Sequence, residues 1–194
     1  MSRFLLLVVV FLLSGGLCLA QGVPEPLGDT ATVNDYAKLL TPEDSQAIET
    51  LATDLWGQHG VTLVVVTIEA MKTYPDLPQD DFSSFTAAWY KAWVLDNSEA
   101  EARTLNLFIS KEDRIARVIP GSDYPVTIKH DLDLIFLNDL IPHLKKNEWS
   151  VGITATATSL AKLANNIGAA QEWQPLSAPT TPAPPVPTPT AKSG

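Results

Sequence analysis

The fold of this chain is decided by residues 61–68, which read VTLVVVTI. Seven of these eight residues are β-branched and six are apolar. β-Branched side chains favour strands, and a strand without polar alternation is covered on both of its faces. The stretch therefore predicts a central strand in a sheet that has helices on both sides.

The segments on either side of this strand supply the other elements. Thr41 followed by Pro42 predicts a helix start, because threonine caps a helix and proline suits its first position. A second amphipathic helix is predicted after the polar loop at residues 74–80. Residues 104–109 and 114–119 predict two strands of an antiparallel hairpin, since only a short polar turn separates them.

Two further helices are predicted after the hairpin. The apolar surface of the first is broad, which indicates a buried helix, and Pro142 is expected to end or kink it. The second covers about residues 150–169. The order α-β-α-β-β-α-α predicts a three-layer α/β/α sandwich with a small mixed sheet, a parallel pair plus an antiparallel hairpin strand, flanked by about four helices.

Composition restricts both the size of the fold and its partners. A chain of 194 residues suits one globular domain with a sizeable core. It carries 22 acidic and 13 basic side chains, for a net charge of −9. Because nucleic-acid binding needs a basic surface, no nucleic-acid partner is expected.

The first twenty residues predict an export signal. Arg3 precedes an unbroken apolar run at residues 4–13, and small residues precede Gln21. A retained N-terminal membrane anchor is the alternative, but a membrane-spanning helix needs about 20 apolar residues. A lipoprotein site at Cys18 is disfavoured because the bulky Leu17 precedes it. We therefore expect a periplasmic or secreted protein.

Cleavage before Gln21 would have two chemical consequences. It would remove Cys18, the only cysteine, and so exclude disulfides, a cysteine nucleophile and thiolate metal sites from the mature chain. It would also leave the mature chain with no stable membrane span.

The predicted domain covers residues 32–173. Residues 21–31 form a short leader that contains proline and glycine. Residues 174–194 form a Pro/Thr-rich tail, which is expected to be disordered because proline cannot donate a main-chain hydrogen bond. The tail could be a spacer, a ligand for an aromatic groove or an inert solvated end.

Acidic residues are the candidates for binding. The sequence contains no phosphate-binding loop, no nucleophile elbow and no HExxH motif, and the three histidines lack ligand spacing. Ligands in α/β sheets bind at the carboxyl ends of parallel strands, where Glu112 and Asp113 are expected. Asp35, which precedes the first helix, and the acids of residues 76–81 could reach the same edge. Clustered carboxylates suit Ca²⁺. Alternatively, these acids solubilise loops and cap helices.

Several motifs resemble the TPM domain family in their order and spacing. Residues 33–41 read VNDYAKLLT, which is similar to the family's opening V-x-D-x-A-x-x-L-[S/T] pattern. Asp113 and Arg114, the Pro-Gly turn at 120–121 and the NEWSVGI segment at 147–153 follow in matching order. The resemblance covers about residues 32–168.

The resemblance implies an α/β sandwich on the outer side of a membrane. Family members include thylakoid-lumen proteins linked to photosystem repair, with acid phosphatase activity and Ca²⁺ binding. Carried over to this chain, Asp35 and Asp113 become the expected metal ligands, and Asp113 with Arg114 the catalytic residues of a phosphatase. The chain departs from the family where a W-x-x-G pattern is usual, because Trp93 is followed by Val-Leu-Asp.

Three functions follow from these expectations. The leading hypothesis is an exported domain that binds Ca²⁺ at the sheet edge and assists membrane or envelope proteins. The first alternative is a metal-assisted acid phosphatase that uses the same acidic cleft. The second alternative is a non-catalytic interaction module whose Pro-rich tail recruits a partner.

Overall fold

A four-stranded mixed sheet forms the centre of the protein. The computed structural model describes residues 22–27, 32–93 and 99–175; the predicted signal segment and the tail beyond residue 175 lie outside them. The strands are β1 (Val33–Asp35), β2 (Thr62–Ile68), β3 (Thr104–Ser110) and β4 (Ile115–Pro120), in that spatial order. β1, β2 and β3 are parallel, and β4 pairs antiparallel with β3.

The helices agree with the predicted pattern. They are α1 (Pro42–His59), α2 (Phe82–Trp93), α3 (Glu99–Ala102), α4 (Ile128–Ile135), α5 (Ile141–Leu144) and α6 (Trp149–Ala170). Thr41 caps α1 by accepting a hydrogen bond from Asp44 N (3.1 Å). Gly60 ends α1 in the left-handed conformation (φ 63°), which favours glycine, and its N–H donates to Trp56 O (2.9 Å). None of the helices in the described ranges is long and apolar enough to cross a membrane.

Two hydrophobic cores cover the two faces of the sheet. Because side chains alternate along a strand, Leu63 and Leu107 pack toward α1 and α6, whereas Val66 and Phe108 pack toward α2. The second core is aromatic: Trp89 is fully buried, and its ring centroid lies 5.1 Å from that of Phe108. The sandwich of three layers is therefore confirmed, with α2 on one face and the other long helices opposite.

β1 is a strand that sequence reasoning missed. It has only three residues, and two of them are polar, so no apolar period marks it. Asn34 at its centre is fully buried, and its Oδ1 accepts a hydrogen bond from Leu27 N (2.6 Å). The short strand extends the predicted parallel pair to three parallel strands.

Pro142 does not end the helical run that contains it. The chain passes from α4 through a π-helical turn, Phe136–Leu140, and continues as α5 to Leu144. Proline has no N–H to donate to the carbonyl four residues earlier, so an ordinary α-helical ladder is broken here. The π turn places this break next to α6, and Leu140 remains buried.

Residues 22–27 contact the domain instead of remaining separate from it. Trp93 Nε1 donates a hydrogen bond to Pro24 O (2.8 Å), and the Tyr36 hydroxyl donates to Glu25 O (2.6 Å). Val23 packs against the aromatic core. This part of the predicted leader therefore covers the α2 side of the sheet.

Candidate functional site

The carboxyl ends of the three parallel strands form one connected edge. Lys111 N, which follows β3, donates a hydrogen bond to Ile68 O at the end of β2 (3.0 Å). Glu112 N donates to Glu69 O (2.8 Å) in the same way. The turns after β2 and β3 are thus joined through their main chains, and they fix the position of the acidic residues they carry.

Asp35 is the last residue of β1, and its carboxylate organises the turn into α1. Its two oxygens accept hydrogen bonds from Leu39 N and Leu40 N, both at 2.9 Å. Thr67 Oγ1, on β2, donates to Oδ1 of the same carboxylate and accepts from Ala37 N (3.2 Å). Asp35 is therefore held against the end of β2 by groups that do not carry positive charge.

Asp113 contacts the turn that follows β2 and the last residue of β3. It lies in the β3–β4 turn, and its Oδ2 accepts hydrogen bonds from Met71 N (2.8 Å) and Ser110 Oγ (2.5 Å). Within the described residues, its Oδ1 accepts no hydrogen bond. Asp35 thus contacts β2 itself, whereas Asp113 contacts the turn after it, and no hydrogen bond within the described residues joins the two aspartates.

Arg114 forms no hydrogen bond or ion pair with either aspartate within the described residues. Its main chain is left-handed (φ 53°), a conformation that costs energy for a residue with a Cβ. Its side chain lines a cavity of about 190 Å³ together with Ile141, Leu144, Lys145 and Trp149. No described residue pairs with its guanidinium, and the cavity contains neither aspartate.

The other acids at this edge are neutralised. Lys111 Nζ lies 2.9 Å from Glu69 Oε1, and Lys72 Nζ lies 2.6 Å from Glu112 Oε2. The hydrogen bond and charge of Glu112 raise the pKa of Lys72 above its usual value. Among the described residues, neither Asp35 nor Asp113 forms an ion pair with a lysine or an arginine.

The acids in the loop before α2 have a structural role at one position. Asp81 Oδ1 accepts from Ser84 N (2.9 Å) and Oδ2 accepts from Ser84 Oγ (2.6 Å), so Asp81 caps α2. These hydrogen bonds lower the pKa of Asp81. Asp76 and Asp80 are exposed. The alternative prediction, that acids in this loop cap a helix, is therefore confirmed for Asp81.

The described residues contain no ready-made cluster of metal-binding side chains. In the described ranges, no group of three or more His, Cys, Asp or Glu side chains is placed to hold one ion. Ca²⁺ accepts main-chain carbonyls and water as well as carboxylates. Asp35 and Asp113 would therefore supply the charged oxygens, and other oxygens would complete the shell.

Comparison with known proteins decides the family. A sequence profile described as TPM domain matches residues 33–163, which is more than half of the chain. The chain belongs to the TPM domain family. The match begins at β1 and ends within α6, so this TPM domain includes both aspartates and Arg114.

Two solved structures share the fold of this TPM domain. One is the N-terminal domain of a protein from P. gingivalis, with a TM-score of 0.57 and 20% identity over 69% of this chain and 82% of that chain. The other is the N-terminal domain of a Corynebacterium glutamicum protein, with a TM-score of 0.51 and 17% identity over 73% and 83% of the two chains. No functionally curated protein matches the chain in sequence.

Sequence reasoning missed the partners of the site residues. Thr67 and Ser110 look like ordinary strand residues, yet each donates a hydroxyl hydrogen bond to one of the two aspartates. Their position at the carboxyl ends of β2 and β3 is the signal that could have identified them. Lys145 and Trp149 beside Arg114 carry no comparable signal, because their proximity depends on three separate elements.

Proposed function

We propose that this TPM domain is an exported accessory factor for membrane or envelope proteins, and that it binds a divalent cation, Ca²⁺, at the carboxyl edge of its sheet. Asp35 and Asp113 are the proposed charged ligands. The observation that supports the proposal is that Asp35 contacts β2, Asp113 contacts the turn that follows β2, and neither is paired with a basic side chain in the described part of the chain.

The hydrogen bonds of the two carboxylates are compatible with this role. A carboxylate oxygen has two lone pairs, and Asp35 Oδ2 accepts one hydrogen bond, from Leu40 N. Asp113 has one oxygen that accepts no bond from the described residues. The existing bonds would orient the ligands, as outer hydrogen bonds do in metal sites, and leave lone pairs for an ion.

The phosphatase alternative ranks second for a geometric reason. A phosphate held by Arg114 must also lie near the carboxylate that activates water. The cavity lined by Arg114 contains neither Asp35 nor Asp113. Turnover of a phosphate ester that Asp113→Asn abolishes, with the fold intact, would reverse this ranking.

The cation proposal is tested by calorimetric titration of Ca²⁺ and Mg²⁺ into the protein starting at Gln21. We expect saturable Ca²⁺ binding that weakens at least tenfold in Asp35→Asn and in Asp113→Asn, since each removes one negative ligand. Glu112→Gln is the matched control, because it removes a neighbouring carboxylate that is already paired with Lys72. Absence of binding at millimolar Ca²⁺, or equal loss in the control, would reject the proposal.

The export component needs a separate measurement. N-terminal sequencing of protein collected outside the cytoplasm is expected to start at Gln21. A start at Met1 would instead support the retained-anchor alternative.

A further inference from the structure

The cavity beside Arg114 has the features of a second, independent binding site. Three elements converge on it: the β3–β4 turn supplies Arg114, α5 and the residue after it supply Ile141, Leu144 and Lys145, and the first residue of α6 supplies Trp149. None of these residues belongs to the proposed cation site.

The lining of the cavity has two chemically different parts. Ile141, Leu144 and Trp149 are half-buried, and Leu144 and Trp149 pack against the main core, so the three residues form an apolar wall. Arg114 and Lys145 are exposed and contribute two positive charges. An apolar wall with adjacent cations suits a ligand that has an apolar group next to an anionic group.

The two cations have no carboxylate partner among the described residues, so both can meet an anion. Some other basic residues, such as Lys72 and Lys111, form an ion pair with a carboxylate. In the described ranges, neither Arg114 nor Lys145 does. In a chain of net charge −9, two unpaired cations at one apolar cavity indicate a site for an anion.

The wall of the cavity is held by its own local structure. Asn147 is left-handed (φ 60°), and its N–H donates to Leu144 O (3.1 Å). Glu148 N donates to His143 O (3.0 Å), and its carboxylate lies 2.8 Å from His143 Nδ1. This compact turn fixes Trp149 relative to α5, so the apolar wall is formed before any ligand arrives.

Size and charge limit the ligand. Binding sites for whole drug-sized molecules measure about 300–1,000 Å³, so 190 Å³ admits only a group about as large as a leucine or phenylalanine side chain. Asp113 precedes Arg114 directly, and Glu148 lies next to Trp149 in the chain. These nearby negative charges oppose a dianion and favour a ligand with a single negative charge.

We propose that this cavity binds a carboxylate that carries an apolar group. The carboxylate pairs with Arg114 and Lys145, and the apolar group lies against Ile141, Leu144 and Trp149. Two sources have this chemistry: the C-terminal residue of a polypeptide that ends in leucine or phenylalanine, and a free organic acid with an aryl group.

The test uses the protein from Gln21 onward, in EDTA, so that cation binding at Asp35 and Asp113 cannot contribute. Three probes are titrated by calorimetry: the pentapeptide AAAAF with a free C-terminus, the same peptide with a C-terminal amide, and phenylacetate. We expect a carboxylate-bearing probe to bind at least tenfold more tightly than the amide, since a charge-assisted hydrogen bond is lost.

The probes also identify the source. Tighter binding of the free peptide than of phenylacetate assigns a polypeptide C-terminus, and equal or tighter binding of phenylacetate assigns a free acid. Equal binding of peptide and amide, with no binding of phenylacetate, would overturn the proposal.

Single substitutions connect the binding to the cavity. Each of the substitutions Arg114→Gln and Lys145→Gln is expected to weaken binding of the carboxylate probe about tenfold. Lys146→Gln is the matched control, because Lys146 is exposed next to Lys145 but does not line the cavity; less than a twofold change is expected. A loss in the control as large as in Lys145→Gln would show non-specific charge attraction and contradict the proposal.

Discussion

The carboxylate of Asp113 accepts a hydrogen bond of 2.8 Å from the main-chain N–H of Met71, 42 residues earlier in the chain. The bond joins the β3–β4 turn to the 3₁₀ turn Met71–Thr73 that follows β2. A candidate ligand is thus also a structural link, and its two roles can be separated by choosing the substitution.

Asp113→Ala is expected to lower the free energy of unfolding by about 1 kcal/mol, because Met71 N and Ser110 Oγ both lose their acceptor. Asp113→Asn keeps an acceptor oxygen and should cost less. Urea denaturation of both variants measures the difference. Equal stability of wild type and Asp113→Ala would show that the link contributes nothing.

Asp35 should matter more for stability than Asp113. Asp35→Ala removes the acceptor of two main-chain N–H groups and of the Thr67 hydroxyl, and about 2–3 kcal/mol of unfolding free energy should be lost. Asp54→Ala, at an exposed position of α1, is the control and should change stability by less than about 0.5 kcal/mol. Chemical denaturation distinguishes the two, and similar values for both would contradict the role of Asp35 in the turn.

Tyr36 should make the protein sensitive to alkali. Burial, with a smaller contribution from Tyr74, raises the pKa of Tyr36 to about 12 in the folded state. The unfolded chain ionises near pH 10, so the stabilisation is complete below pH 10 and is lost as the pH rises toward 12. Melting temperatures of wild type and Tyr36→Phe across this range provide the measurement.

The melting temperature of Tyr36→Phe should fall less than that of wild type between pH 10 and pH 12. An absorbance titration of tyrosinate should also lose its component near pH 12. A wild-type titration complete by pH 10 would contradict the shifted pKa.

Two glycines should respond to alanine in opposite directions. A Cβ at Gly121 would lie 2.3 Å from Ala102 O, so the main chain must move, and Gly121→Ala should destabilise the fold by about 1–3 kcal/mol. A Cβ at Gly57 meets nothing within 4 Å, and alanine favours the helix, so Gly57→Ala should stabilise by about 0.5–1 kcal/mol. Thermal melting tests both, and a shift in the same direction would refute the argument.

The elements with strong local signals were predictable from the sequence. A pattern of neighbouring residues predicts each of three features: the apolar strand β2, the hairpin of β3 and β4, and the helix cap at Thr41. The structure confirms all three. β1 was not predictable, because a three-residue strand with a buried asparagine is stabilised by pairing with β2, about thirty residues away.

The candidate site was predictable in position but not in its contacts. The hairpin turn placed Asp113 at the carboxyl edge of the sheet, and the segment before the first helix was expected to bring Asp35 there; Asp35 lies at the end of β1 and Asp113 in the turn after β3. The orientation of Arg114 depends on the left-handed turn and on where α5 and α6 lie, which no local pattern encodes. Geometry that three distant segments create together is visible only in the folded chain.

The hydrogen bond from Trp93 Nε1 to Pro24 O has a consequence for how the protein would be oriented in a cell. Pro24 lies only three positions after Gln21 in the chain, a span of about 10 Å at full extension. A chain whose first twenty residues stayed in a bilayer would therefore be held with its α2 side toward the lipid and its main helical layer outward. Proteolytic release at Gln21 would free the domain to turn either side toward a partner.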